Sequence, residues 1–200
     1  MRRRSVAWLL GALLAAAPLV AQGRLSHEDA DRFQSKLTRI VAFGNIPTAK
    51  AAQPQSTPLS DAEVNSYLKY NAGSQVPTGI VDPVLNALGE GRVSGRATVD
   101  LDAVRTQKKR GWLDPLGYLT GRLPVTASGV LTTKEGKGQF VLQSAEISGV
   151  TVPKSVLQEL LSYYSRTPEN PAGIDMDAPF ELPARIREIK VGTGTSTVVQ

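Results

Sequence analysis

Cysteine is absent from this sequence of 200 residues, and there is a single histidine, His27. Without cysteine the chain has no disulfide, no thiolate ligand for a metal and no cysteine to carry a lipid anchor. An acyl-transfer enzyme needs a base beside its nucleophile. The single histidine, His27, lies at a predicted helix start, where a solvated histidine is ordinary, so the chain offers no obvious base. The sequence therefore predicts no metal, no cofactor and no catalytic residue.

Long apolar runs are also scarce, since the chain has one, at residues 6–20, which three arginines at positions 2–4 precede. Small residues at Ala21 and Gly23 follow it, which is the pattern of a cleaved signal peptide over residues 1–23. The run contains Pro18 and is shorter than the roughly 20 residues that cross a bilayer. We expect a periplasmic or secreted protein, and the alternative is an uncleaved N-terminal membrane anchor.

An excess of positive charge is missing once this segment is set aside. The net charge is +5 with 23 basic and 18 acidic residues, and removing the three arginines of residues 1–23 leaves 20 against 18, or +2. A basic surface is the usual electrostatic signature of nucleic-acid binding. The sequence therefore predicts no nucleic-acid partner.

What the chain does contain is regular alternation of apolar and polar residues over 89–104, which predicts a long strand with one dry and one wet face. Residues 119–131 and 139–150 alternate in the same way, with a glycine-rich hairpin at 135–138. The apolar parity changes near Gln143 and Ser144, which predicts a β-bulge that curves the sheet. Strands resume at Phe180.

Helix-start signals precede and follow these strands. Ser26 and Ser60 are predicted N-caps, and Glu63 completes a capping box with Ser60. Asp82 before a proline predicts a short helix through residue 88, and Pro153 predicts another helix.

The pattern as a whole predicts one α+β domain over residues 24–200, helical over 26–88 and sheet-rich over 89–200. We expect a curved antiparallel sheet of four to six long strands with about three amphipathic helices packed on one face.

A sheet curved around a helix encloses either a filled core or a groove wide enough for an acyl chain, and sequence patterns allow both. If there is a groove, apolar residues of the dry strand faces and of the helix after Pro153 would contact the ligand. These predicted ligand-binding residues are Val99, Leu101, Val125, Phe140, Leu142, Leu157 and Leu161.

The segment 106–118 combines three consecutive cations with aromatic and apolar residues. Such a mixture suits a membrane interface, where cations meet anionic headgroups and aromatic rings lie at headgroup level. The alternative is that the apolar side chains fold back to cover the end of the core. The predicted membrane-contact residues are Lys108, Lys109, Arg110, Trp112, Leu113, Leu116 and Tyr118.

Two aspartates, Asp100 and Asp102, are the best pair for acid–base chemistry. Their spacing on a predicted strand puts both on the wet face, where solvation explains them. A hydrolase is therefore the least favoured hypothesis, and we expect no enzyme.

Three stretches, 59–65, 91–102 and 136–150 followed by Val152 and Pro153, resemble small bacterial envelope proteins related to tubular lipid-binding and AsmA-like domains. The resemblance implies a periplasmic or membrane-anchored protein that binds or hands over lipid in an apolar groove, with no shared catalytic residues.

Two functions follow as hypotheses. The first is a non-catalytic periplasmic protein that binds a lipid or other apolar ligand and docks on a membrane through the 106–118 segment. The second is an envelope scaffold with a filled core and a protein partner on an exposed strand edge or on that segment.

Overall fold

A computed structural model describes residues 24–47, 53–107, 120–166 and 170–200, and it confirms the α+β class with antiparallel sheets. The elements are α1 (His27–Gly44), β1 (Ser56–Ser60), α2 (Asp61–Tyr70), β2 (Ile80–Gly89), β3 (Arg92–Asp100), α3 (Leu101–Gln107), β4 (Arg122–Lys134), β5 (Lys137–Ile147), β6 (Val150–Thr151), α4 (Lys154–Ser165), β7 (Phe180–Glu181), β8 (Glu188–Val191) and β9 (Thr195–Val199). A three-stranded sheet has the order β1-β9-β8, and a six-stranded sheet has the order β2-β3-β4-β5-β6, with β7 also paired to β5.

The best-packed part is a base formed by α1, α2 and the small sheet. Both helix starts have the predicted caps: Ser26 Oγ accepts from the Asp29 amide, and Ser60 and Glu63 form a complete capping box. Ile40, Ile186 and Val198 are the buried apolar cluster of the base. Burying such side chains contributes about 1.5–3 kcal/mol each, so this cluster anchors the small sheet to α1.

The large sheet extends from this base through two hairpins. Glu90 and Gly91 have φ of 55° and 76°, and Glu135 and Gly136 have φ of 53° and 84°. Positive φ at both central residues is the two-residue turn whose twist suits a hairpin. The Thr133 hydroxyl accepts from the Ile189 amide at 2.7 Å and so joins the two sheets.

The free edge of β2 is covered by side chains of α2. Asn65 donates to the Leu85 carbonyl and accepts from the Leu85 amide, both at 2.7 Å, and Asp61 accepts from the Ala87 amide. An unpaired strand edge can pair with a strand of another molecule. The α2 side chains occupy backbone groups of the β2 edge and so leave fewer of them free for such pairing.

Two local predictions were wrong. Residues 82–88 are part of strand β2 rather than a helix, because Asp82 and Pro83 form a bulge between the pairs Val81–Thr98 and Val84–Arg96. Proline is tolerated at bulges of edge strands, where no ladder hydrogen bond is lost. Leu101 begins helix α3 rather than continuing the strand, since Asp100 Oδ1 accepts from the Ala103 amide at 3.0 Å and caps that helix.

The predicted bulge in β5 is confirmed. Ser128 pairs with Ser144 and Gly129 with Leu142, which leaves Gln143 as the extra residue. The change of parity seen in the sequence therefore has its structural cause at the predicted position. Of the residues that the structure describes, none forms a helix that is both long and apolar enough for a membrane span.

Candidate apolar binding site

Four of the predicted ligand-binding residues lie on one face of the large sheet. Directly paired residues point to the same face of a sheet, and so do alternate residues of one strand. Val99 therefore shares a face with Val125, because Val99 pairs with Leu123 and Ala97 pairs with Val125. Phe140 and Leu142 join this face through their pairs Leu131 and Gly129. We call this surface the apolar sheet face. The alternation correctly predicted that these four residues share a side of the sheet.

The three remaining predicted residues belong to helices. Leu101 is 2% exposed at the start of α3, so its side chain is committed to packing. Leu157 and Leu161 lie half-buried on α4. Their role in ligand binding stays a prediction.

Phe140 and Leu161 meet in a hollow of about 720 Å³ between β5, α4 and the chain that leads to β7. This size falls within the range of small-molecule sites, about 300–1,000 Å³. We call it the α4 hollow, and its other lining residues are Asn170, Gly173, Ile174, Asp175, Met176, Ala178, Pro179 and Phe180. The sequence indicated Phe140 and Leu161 but missed Ile174, Met176 and Phe180.

The missed residues left only a weak trace in the sequence. Ile174 and Met176 are isolated apolar residues in a proline-rich, acidic stretch, so no periodicity marks them. In the structure Ile174 is 52% exposed and Phe180 45% exposed. Two large apolar side chains at the opening of one hollow are a surface feature that a bound apolar molecule would cover.

Glycines let two aromatic rings lie against the sheet beside the hollow. A Cβ at Gly129 would lie 2.5 Å from Phe140 Cζ, and a Cβ at Gly138 would lie 2.6 Å from Phe180 Cζ. Both distances are below van der Waals contact. Glycine at these two positions therefore gives the rings the space that they occupy.

The outer wall of the hollow is tied to α4 by polar side chains. Gln158 donates to the Ile174 carbonyl at 2.9 Å and accepts from the Met176 amide at 2.7 Å. Ser165 Oγ accepts from the Ile174 amide, and Lys154 pairs with Asp177. These bonds join the segment 174–177 to the helix and leave its apolar side chains to line the hollow.

The shifted pKa values belong to groups remote from the hollow. Burial raises the pKa of Asp61, partly offset by the Ala87 amide. Burial also acts to raise the pKa of Glu63, but hydrogen bonds from Lys36 and Ser60 outweigh it and lower the pKa. Both groups sit in the α2 base and serve packing there.

The predicted acid pair is divided between two elements. Asp100 ends β3, where the Ala103 amide and then Arg122 lower its pKa. Asp102 lies in α3 and accepts from the Gly121 amide at 3.3 Å. The prediction that both aspartates lie on one strand face was wrong, because the strand ends between them.

His27 and the acidic groups form no metal site within the described ranges. His27 is exposed and lies against Tyr70, with the ring centroids 4.0 Å apart and the ring planes tilted by 31°. Across residues 24–47, 53–107, 120–166 and 170–200, no three His, Cys, Asp or Glu side chains are grouped for a metal ion.

A second hollow, of about 560 Å³, lies between α2 and the bulged part of β2. Leu68, Val76, Ile80 and Val84 are among its walls, and Lys69 and Asp82 also line it. The sequence missed this hollow, because a helix was expected where β2 bulges.

The predicted signal peptide 1–23 and the predicted membrane-contact residues lie outside the described residues. The latter are Lys108, Lys109, Arg110, Trp112, Leu113, Leu116 and Tyr118. Both assignments stay predictions.

Comparison with known proteins gives little. No family model and no curated protein matches the sequence. Among solved structures, the chain is similar to one described as "Crystal structure of lipopolysaccharide binding protein", at 15% identity and a TM-score of 0.22. The match covers 72% of this chain and 40% of that chain, so it spans less than half of the other protein. A similarity this low supports no conclusion about the fold or the ligand.

Proposed function

We propose that this chain is a non-catalytic protein that binds a lipid or another apolar ligand between α4 and the large sheet. The observation that carries the proposal is the α4 hollow of about 720 Å³. Its described walls are mostly apolar, and it includes Phe140, which belongs to the apolar sheet face. The hydrophobic effect then supplies the binding energy, roughly 25 cal/mol for each Å² of apolar surface that leaves water.

The geometry favours a ligand with an extended apolar part. Val99, Val125 and Phe140 lie on three neighbouring strands, so the apolar sheet face continues across the sheet away from the hollow. Adjacent strands are about 4.8 Å apart, and Val99 and Phe140 pair with Leu123 and Leu131, which lie eight residues apart on β4. The face therefore runs about 27 Å along the strands and about 10 Å across them. An acyl chain laid across it would contact apolar side chains along much of its length.

A binding assay with matched variants of α4 tests the proposal. The probe is cis-parinaric acid, a fatty acid that fluoresces when it leaves water. Leu161→Gln places an amide in the α4 hollow, whereas Val156→Gln makes the same kind of change at a side chain that is 43% exposed. Burying a polar group without a partner costs about 1–3 kcal/mol, so Leu161→Gln should weaken binding by roughly five- to 150-fold.

Val156→Gln should bind the probe as the unchanged chain does. Equal affinity of both variants, or no fluorescence increase with the unchanged chain, would count against the α4 hollow as the site. Circular dichroism of each variant checks that the fold is retained.

We further propose that the protein is exported and docks on a membrane through residues 106–118. The support is the sequence: a signal-peptide pattern at residues 1–23, and three cations next to Trp112 and Leu116. Replacing Trp112 and Leu116 together with serine should reduce sedimentation with anionic liposomes and leave parinarate binding intact. Unchanged sedimentation would refute the docking proposal alone.

A further inference from the structure

The outer edge of β5 is paired with a strand at each of its two ends, and between them its contact with the chain before β7 includes the Gln139 side chain, which donates to the Asp177 carbonyl at 3.2 Å. At one end β7 pairs Glu181 with Lys137 and Phe180 with Gly138. At the other end β6 pairs with residues 146 and 147. Within the described residues, no strand pairs with the outer side of residues 139–144. We call this stretch the β5 gap.

Hydrogen bonds at the ends of the gap fix which backbone groups face outward. The Gly136 carbonyl accepts from the Leu182 amide at 2.7 Å, and the Ala145 carbonyl accepts from the Val152 amide at 2.9 Å. Along a strand, the backbone groups of every second residue point to the same edge. Counting from Gly136, Phe140 and Leu142 therefore present their N–H and C=O groups to the gap. The extra residue of the bulge, at position 143, shifts the count by one, so that Ala145 is the next residue to point outward. In the part of the chain that the structure describes, no outer hydrogen bond reaches Phe140 or Leu142.

This edge lacks the protection that the opposite edge has. On β2, Asn65 and Asp61 occupy the outward backbone groups of Leu85 and Ala87. The sequence of residues 138–145 contains no charged residue and no proline, which are the common means of blocking strand addition. The bulge at residue 143 interrupts the gap, so residues 139–142 form its regular part.

The gap lies beside an apolar hollow. Phe140 and Phe180 belong both to the strands around the gap and to the lining of the α4 hollow. An added strand therefore has hydrogen-bond partners in the backbone of Phe140 and Leu142 and an apolar cavity for one of its side chains. Alternating donors and acceptors with an adjacent side-chain pocket are the elements of peptide recognition by strand addition.

We propose that the β5 gap binds a short extended peptide segment of another protein as an additional antiparallel strand. A peptide fits because only another backbone supplies alternating N–H and C=O groups at strand spacing. The six open residues span about 20 Å at roughly 3.4 Å per residue, and β6 and β7 close both ends. A second copy's β5 has 11 residues and is too long for the gap, so a short segment is the fitting occupant.

The test uses the full chain and the blocked pentapeptide acetyl-Val-Thr-Val-Thr-Val-amide. Its control is the same peptide methylated at every backbone nitrogen, which keeps the side chains and removes the donors. The measurement is hydrogen exchange of the Phe140 and Leu142 amides by NMR. The unmethylated peptide should slow both amides by about tenfold or more at saturation, and the methylated peptide should not.

A variant pair provides a second measurement. Both variants remove the leucine side chain at residue 142. Leu142→Pro also removes the outward N–H, whereas Leu142→Ala keeps it. The peptide should bind Leu142→Pro about tenfold more weakly than Leu142→Ala, the effect of losing one hydrogen bond, because both variants lack the leucine side chain and only Leu142→Pro lacks the N–H. If Leu142→Pro does not fold, the methylated peptide still decides the question.

Three results would overturn the proposal: equal binding of both peptides, no slowing of the Phe140 and Leu142 amides, or protection that grows with chain concentration in the absence of peptide. The last result would assign the gap to self-association. The peptide and the lipid would share the α4 hollow, but the Phe140 and Leu142 amides report strand addition whether or not parinarate binds, so the two proposals can fail separately.

Discussion

Glu63 is a buried charged residue of the base, and its carboxylate is held by several hydrogen bonds. It is 6% exposed, and its carboxylate accepts from Lys36 Nζ at 2.7 and 2.8 Å and from the Ser60 amide at 2.9 Å. These bonds lower its pKa in the folded chain. A carboxyl with a lowered folded pKa stabilises the fold above its unfolded pKa, and this stabilisation is lost as pH falls through the folded value.

We therefore predict that the stability of the chain falls as the pH is lowered below about 4.5, the ordinary pKa of a glutamate carboxyl, and that Glu63→Gln makes this part of the pH dependence flatter. At neutral pH the same variant should lose about 1–3 kcal/mol, because Lys36 loses its charged partner. Urea unfolding at a series of pH values measures both effects. An unchanged acid limb in Glu63→Gln would show that another group controls it.

Gly129 is the second residue for which the structure makes a sharp prediction. A Cβ there would lie 2.4 Å from the Val141 carbonyl oxygen and 2.5 Å from the Phe140 ring, whereas a Cβ at Gly95 would meet only the flexible end of Leu85 at 3.3 Å and, more distantly, the Val84 carbonyl at 3.8 Å. Gly129→Ala should thus destabilise the chain by about 1–3 kcal/mol through overpacking, with Gly95→Ala close to neutral. Thermal unfolding of the two variants compares them, and equal melting temperatures would contradict the described position of the Phe140 ring.

Among the elements, helix α2 has the clearest second role, as the cover of the β2 edge. Asn65 is 6% exposed and bonds both backbone groups of Leu85. Asn65→Ala should cost about 2 kcal/mol or more, since two backbone groups lose their partner. Asn86→Ala is a suitable control, because among the described residues the side-chain hydrogen bond of Asn86 is a single long one of 3.5 Å, to Ser94.

Amide exchange locates the effect of Asn65→Ala. Exchange at Leu85 should accelerate in Asn65→Ala and remain unchanged in Asn86→Ala. Accelerated exchange throughout the base with none at Leu85 would show that Asn65 supports the helix rather than the sheet edge.

Sequence patterns predicted the elements whose signals are local. The capping box at Ser60 and Glu63 and the bulge at residue 143 depend on residues within a few positions of each other, and both are present. The turn at Glu90 and Gly91 has the same Glu-Gly pair as the recognised hairpin at residues 135 and 136, so β2 could have been found from it. Strand β2 was missed because the Asp-Pro pair at residues 82 and 83 was interpreted as a helix start, and the same dipeptide also occurs at a bulge of an edge strand.

At the scale of the whole molecule, the chain is a packed base with a large sheet whose apolar face lies partly beneath one helix. The sequence predicted that Val99, Val125, Phe140 and Leu142 share this face, because alternation within a strand determines facing. It could not predict the α4 hollow, since residues 174–180 approach Phe140 and Leu161 only through tertiary structure. A contact between residues far apart in the sequence leaves no periodic pattern from which it could be predicted.

The proposed function requires that the space between α4 and the large sheet hold an apolar molecule. Native mass spectrometry of the full-length gene product, purified from its own cell envelope without detergent exchange, tests it most directly. We predict a bound mass in the lipid range that organic extraction recovers, and that Leu161→Gln carries at a much lower level than Val156→Gln. A spectrum of unliganded protein alone, with no uptake of added fatty acid, would contradict the account.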